Sequence, residues 1–285
     1  MEFKKIAIIG VGLIGGSFAR SLKKYALCKE IIGYGRSEKN LKKALNLGVI
    51  DDYRREFSED MKDFDLILLA TPVSTIVTIT KNIIPFLKPG TIVFDAGSVK
   101  GKIVKDVESF LPAHITFIGG HPIAGRENSG VEAAQDDLFF GHKMVFTPTS
   151  ITSKEKLKKL MDLWAKIGCE IIIMDKDYHD EIFSQISHLP HVIAYCLVNS
   201  IFEYFGKHDV ITNFSAGGFK DYTRIAQSHP EMWKDILLMN KKNILNAIDS
   251  FLHYLLMLKG FLSEDDEEKL LREFIKSREI KRKLK

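Results

Sequence analysis

The chain is 285 residues long, 45% hydrophobic and 27% charged, with a formal net charge of +4. These proportions fit a globular protein of one large or two ordinary domains and argue against a disordered or fibrous chain. Much of the positive excess lies in the tail (Lys276, Arg278, Lys281, Arg282, Lys283, Lys285), the pattern of a solvated helix end rather than a nucleic-acid surface. Cys28, Cys169 and Cys196 are far apart and lack ligand spacing, which argues against a disulfide framework or a zinc site. There is no signal-peptide pattern and no apolar run of roughly 18 residues. A cytoplasmic protein that engages neither nucleic acid nor membrane is expected.

Residues 4–9 are a short, mostly apolar run that predicts a buried parallel strand. GVGLIG follows at 10–15, and helical spacing begins at Ser17. In that context the glycines have a mechanism: Gly10 permits a tight turn, Gly12 lets a pyrophosphate approach the backbone, and Gly15 lets the helix pack close to the strand. The phosphates would sit at the helix N-terminus beside Leu13 and Ile14. Further strands are expected at 31–34, 65–70, 91–95, 116–119, 143–147 and 170–174. Helices are expected near 37–47, 73–87, 100–110 and 154–167. This alternation predicts an α/β, Rossmann-like, doubly wound and largely parallel sheet over residues 1–174. Ligands of such sheets gather at the carboxyl ends of strands, where the glycine turn, Thr71, Pro72, Ser98 and His121 fall.

After Met174 the strand signals stop. Residues 175–187, 190–205, 222–226, 231–259 and 263–281 read as helix, with Pro190 suited to a first turn. Residues 236–258 keep apolar residues at helical spacing for about six turns. An all-helical domain over 175–285 that pairs with a second copy of the chain would cover that face.

Three segments carry candidate chemistry. DAGSVKG (95–101) ends a strand, and Ser98 there could simply be a helix N-cap. GGHPIAG (119–125) places His121 at another strand end, free to act as acid or base near neutral pH. SHLPH (187–191) and GGFKDYTRIA (217–226) lie in the helical half. Taken singly, His188 and His191 could be packing or capping residues, and Arg224 an ordinary ion-pair partner.

Together with GVGLIGGS (10–17) and LLATPV (68–73), these segments resemble the prephenate/arogenate dehydrogenase family of tyrosine biosynthesis, in the family's order and over about three quarters of the chain. The resemblance implies oxidative decarboxylation of a cyclohexadiene dicarboxylate, prephenate or its amino counterpart arogenate. Hydride leaves C4 for a nicotinamide, the C4 hydroxyl loses its proton, carbon dioxide departs and the ring becomes aromatic. No metal is needed. By this analogy His121 takes the hydroxyl proton, and Ser98 bridges His121, the hydroxyl and the nicotinamide. Arg224 clamps one carboxylate with its planar fork. His191 holds the other, with His188 in support and Glu127 as a further substrate contact. The neighbouring Arg126 departs from the small or polar residue often found there.

The cofactor is NAD(P). NAD-selective sheets end the second strand on an acid that binds the ribose 2′-hydroxyl. Here Gly35 takes that place, followed by Arg36 and Ser37, which could bind a 2′-phosphate, so the balance favours NADP. The glycine turn alone would also suit another dehydrogenase, an imine reductase or a nucleotide sensor without catalysis. The two redox alternatives do not explain GGHPIAG, SHLPH and DYTRIA together, and the sensor leaves His121 and Arg224 without roles.

Overall fold

The computed structural model describes residues 3–125, 128–206 and 213–284. Eight strands form one sheet: β1 (Lys5–Ile9), β2 (Glu30–Tyr34), β3 (Asp52–Arg54), β4 (Leu66–Leu69), β5 (Ile92–Asp95), β6 (Thr116–Pro122), β7 (Lys143–Thr147) and β8 (Glu170–Ile173). Their order is β3-β2-β1-β4-β5-β6-β7-β8. Every neighbouring pair is parallel except β6 and β7. The chain therefore leaves β1 in one direction and returns to its other side at β4, which opens a crevice at the carboxyl ends of these two strands.

Helices α1 (Leu13–Lys24), α2 (Glu38–Asn46), α3 (Ile76–Ile83), α4 (Gly101–Glu108) and α5 (Lys154–Ile167) connect the strands. The central strands are buried on both faces, so they are continuous apolar runs, and alternate residues serve two separate cores. Ile6, Ile8, Leu66, Leu68 and Phe94 face one core with Phe18 of α1 and Trp164 of α5. There the Phe18 and Trp164 rings stack with centroids 5.0 Å apart. Ala7, Ile9, Ile67, Leu69 and Val93 face the other.

After β8 the chain is helical: α6 (Lys176–Phe183), a π-helical turn (Ser184–His188), α7 (Leu189–Phe205), α8 (Gly217–Thr223), a 3₁₀ turn (Arg224–Gln227), α9 (Pro230–Met239), α10 (Lys241–Ser263) and α11 (Glu267–Lys283). Strand signals do end where the sequence says. By packing, one compact unit runs through Asn240 and the other starts at Lys241. The reason is that Trp233 and Ile236 of α9 belong to the second core of the sheet. The single helix expected over 231–259 is accordingly two, separated at Asn240. In the second unit, Asp266 caps α11 by accepting the Lys269 N–H at 3.0 Å. Leu252, Leu255 and Leu256 of α10, and Leu271 and Phe274 of α11, are exposed.

Candidate active site

The turn after β1 has the shape that its three glycines require. Gly10 has φ +97°, and a Cβ there would lie 2.4 Å from the Ala70 carbonyl oxygen, so only glycine fits. A Cβ on Gly15 would lie 2.1 Å from the Gly10 carbonyl oxygen, which shows how closely α1 approaches the strand. A Cβ on Gly12 would meet nothing within 4 Å. The open side of the turn thus lies at the N-terminus of α1, whose first turn carries no acidic residue, and an anion suits that place. Thr71 and Pro72 sit at the adjoining end of β4, where Thr75 Oγ1 bonds to Thr71 Oγ1 at 3.0 Å and to the Pro72 carbonyl at 2.8 Å.

Asp95, at the end of β5, and Lys100, at the start of α4, form a fully buried ion pair. Asp95 also accepts the N–H groups of Gly97 at 2.8 Å and Gly120 at 3.2 Å, and Lys100 donates to the Gly120 carbonyl at 2.7 Å. Burial pushes the Asp95 carboxyl up and the Lys100 ammonium down, while each partner pulls the other back. The pair locks the loop that carries Ser98 against the strand that carries His121. Ser98 does not cap α4. Lys100 is the N-cap residue, and the cap acceptor is Asp180 of α6, which takes the Lys100 N–H at 2.7 Å and the Gly101 N–H at 2.8 Å.

His121 lies within β6 itself, since that strand runs on to Pro122, past the expected end at Gly119. Its half-buried ring packs on Phe183, centroids 4.8 Å apart, and its Nδ1 is 2.8 Å from His179 Nε2. His179 Nδ1 is in turn 2.8 Å from Asp180 Oδ1. Burial, reinforced by the nearby His179, Lys100 and His188, holds the His121 pKa well below the usual imidazole value, so the ring is a neutral base at physiological pH.

The SHLPH segment forms the π turn and the start of α7. Pro190 has no N–H, and its ring crowds the carbonyl four residues back, so the helix accommodates it by widening over Ser184–His188. His188 is buried there. Its Nδ1 accepts from Asn240 Nδ2 at 3.3 Å, while Asn240 Nδ2 also donates to the Asp180 carbonyl at 2.8 Å. The imidazole proton therefore sits on Nε2, a buried donor beside the Ser98 backbone. Burial pulls the His188 pKa down to about 4, against the opposing influences of Asp180 and the Ser98 backbone. His191 stacks on Trp233 at 3.6 Å and donates its Nδ1–H to the Ser187 carbonyl at 2.9 Å.

A nucleotide-binding sheet, a neutral imidazole at its carboxyl edge and a buried imidazole donor beside Ser98 suit a dehydrogenase, and the comparisons with known proteins agree. The family pattern of the prephenate dehydrogenase nucleotide-binding domain matches residues 18–173, and that of its dimerization domain matches residues 175–276. The chain belongs to the prephenate dehydrogenase family. It is 37% identical to the cyclohexadienyl dehydrogenase of Zymomonas mobilis, over 99% of this chain and 97% of that protein. It is also 37% identical to the prephenate dehydrogenase of Bacillus subtilis, over 94% of this chain and 73% of that one. The solved prephenate dehydrogenase of Aquifex aeolicus, in complex with hydroxyphenyl propionate and NAD+, superposes with a TM-score of 0.91 at 40% identity, covering 98% of this chain and 97% of that one.

Within this member of the family, the expected site residues divide into four groups. His121, Ser98, His188 and His191 gather around α6, the π turn and Trp233. Arg224 is exposed, and its turn packs on α7, where the Tyr195 hydroxyl donates to the Ser228 carbonyl at 2.7 Å. Arg36 is exposed after β2, and the Ser37 hydroxyl accepts the Asn40 N–H as the cap of α2. Glu127 and Arg126 lie outside the described residues. Sequence reasoning misses His179, Asp180, Lys100 and Asn240. Lys100 lies inside DAGSVKG, where the sequence assigns it no role, and a His-Asp pair on a polar helix carries no spacing signal.

Proposed function

We propose that this dehydrogenase converts prephenate to 4-hydroxyphenylpyruvate and carbon dioxide, with His121 as the base that takes the C4 hydroxyl proton. The observation that carries the proposal is the neutral His121 ring, held between Phe183 and His179 beside the His188 donor, in a chain of this family. A positioned base contributes typically ~10²–10⁴-fold. Bound along the glycine turn, a nicotinamide nucleotide supplies the acceptor for the C4 hydride.

Gly10, Gly12, Leu13, Ile14 and Gly15 hold the cofactor pyrophosphate, and Thr71 and Pro72 flank it at the end of β4. Ser98 bridges His121 and the substrate through its hydroxyl. Arg224 grips one substrate carboxylate through paired N–H groups. His191 takes the other, with His188 and Glu127 in support. The His191 Nδ1–H is already given to Ser187, so holding a carboxylate at Nε2 requires a second proton on that ring. At the ribose, Gly35 removes the usual acid and Arg36 is exposed next to it, which favours NADP, whereas the A. aeolicus relative was solved with NAD+. The exposed apolar residues of α10 and α11 form the contact of a homodimer.

Steady-state assays with prephenate and arogenate, each with NAD and NADP, test substrate and cofactor together. Prephenate with NADP should give the highest kcat/KM, with carbon dioxide released in step with cofactor reduction. His121→Asn should lower kcat by ~10²–10⁴-fold. Arg224→Ala should raise KM for the substrate by roughly 10–100-fold, with a smaller change in kcat. Full turnover in His121→Asn would remove the base assignment.

A further inference from the structure

His121, His179 and Asp180 form a hydrogen-bonded line whose proton positions can be worked out from one end. Asp180 Oδ1 accepts the Lys100 N–H and Oδ2 the Gly101 N–H, both at the N-terminus of α4; burial pushes this carboxyl up, and these two donors with the nearby Lys100 charge pull it back and favour its ionised form. An ionised carboxylate only accepts. The third contact, His179 Nδ1 at 2.8 Å, must therefore bring the proton. His179 is fully buried, and burial pulls its pKa down to about 2, so it is neutral and keeps a lone pair on Nε2. That lone pair faces His121 Nδ1 at 2.8 Å and takes its N–H. Neutral His121 has one proton, now committed to Nδ1, and Nε2 is left with a lone pair. Phe183 packs against both rings, at 4.8 Å from His121 and 4.5 Å from His179, and keeps them from turning.

We propose that His179 and Asp180 are positioning residues that hold His121 in the Nδ1–H tautomer, so that Nε2 is the atom that removes the substrate hydroxyl proton. This rests on the assignment of His121 as the base. In the step, the O–H bond at C4 breaks and its proton bonds to Nε2. The oxygen electron pair forms the C4 carbonyl as the hydride leaves C4 for the nicotinamide, which is reduced. The bond from C1 to its carboxylate then breaks, its electron pair enters the ring as the C4 carbonyl pair returns to oxygen, and the now aromatic C4 oxygen takes the proton back from Nε2. Between the two transfers His121 is an imidazolium that still donates Nδ1–H to His179, and Asp180 stays ionised throughout. The groups facing this cation are His179 and Asp180 from α6, Lys100 at the start of α4 and neutral His188 from the π turn. Of these the Lys100 charge opposes the second proton and favours its return to the C4 oxygen.

Nitrogen-15 spectra of the imidazoles, with His121 assigned by difference against His121→Asn, read the tautomer directly. The expected result is a protonated Nδ1 and an unprotonated Nε2. Asp180→Ala removes the acceptor of the His179 Nδ1–H and should release the fixed proton order along the line. It should lower kcat by ~10²-fold or more with KM for substrate and cofactor unchanged. Because Asp180 also caps α4, a second pair of variants guards against a folding defect. His179→Gln keeps an amide oxygen for the His121 Nδ1–H and should retain the tautomer and most of kcat. His179→Phe keeps the ring packing but not the acceptor, and should lose both. A proton on Nε2 in the wild-type enzyme, or full kcat in a folded His179→Phe, would overturn the proposal. If His121→Asn is inactive while His179→Phe is fully active, only the positioning role falls. If His121→Asn is itself active, the base assignment falls and this proposal with it.

Discussion

At the scale of single residues, the chemistry of this protein is shaped by imidazoles kept from water. Burial takes the pKa of His179 from 6.5 to about 2 and that of His188 to about 4, and it lowers His121 as well. An unfolded chain binds protons at these rings near pH 6.5, while the folded chain refuses them until far lower pH. Between those limits the unfolded state holds more protons, so stability rises with pH and is lost as pH falls. Urea unfolding at a series of pH values should therefore show a stability plateau above about pH 6.5 and a steady decline down to about pH 4. His188→Gln should flatten part of that slope. An equal decline in the variant would mean that His188 charges freely in the folded protein. The same depression keeps His121 in its base form, so the acid limb of kcat/KM is expected below the ordinary imidazole range.

At the scale of elements, the turn between β1 and α1 separates folding from binding. Gly15→Ala drives a Cβ into the Gly10 carbonyl, so strand and helix must part, at a cost of about 1–3 kcal/mol. Gly12→Ala meets open space and should leave Tm unchanged while weakening cofactor binding. Melting curves and cofactor titrations of the two variants should show this contrast, and a lowered Tm in Gly12→Ala would argue against it. This turn was legible from the residues alone, as were most strands, because strands buried on both faces are unbroken apolar runs. Asp52–Arg54 was not: a three-residue polar strand at the sheet edge has no period to detect. The His179–Asp180 line was hidden for a different reason. Its meaning depends on α4, some 80 residues earlier, whose first N–H groups fix the Asp180 carboxylate. Spacing along one helix carries no trace of a partner that distant. Ser98, a residue type favoured at helix starts, stands in sequence where a cap is expected, yet Asp180 supplies that bond.

At the scale of the whole molecule, the exposed leucines of α10 and α11 make the proposed homodimer testable. Sedimentation should give twice the chain mass of 32.4 kDa. Leu255→Glu, on the exposed face of α10, should shift the protein toward the single-chain mass, and the thermal midpoint should then stop depending on concentration. A wild-type protein that sediments as one chain at micromolar concentration would end that proposal. The π turn has a reach of its own across the later half of the chain. A widened turn stores one residue more than regular helix needs, and each residue rotates the downstream helix by about 100°. The length of the stretch from Ser184 to His188 is thus a phase setting. Trimming it by one residue, even exposed Ile186, would leave α7 helical yet swing His191 and the docking face for the Arg224 turn around the axis together. Insertions and deletions there should be far less tolerable than substitutions.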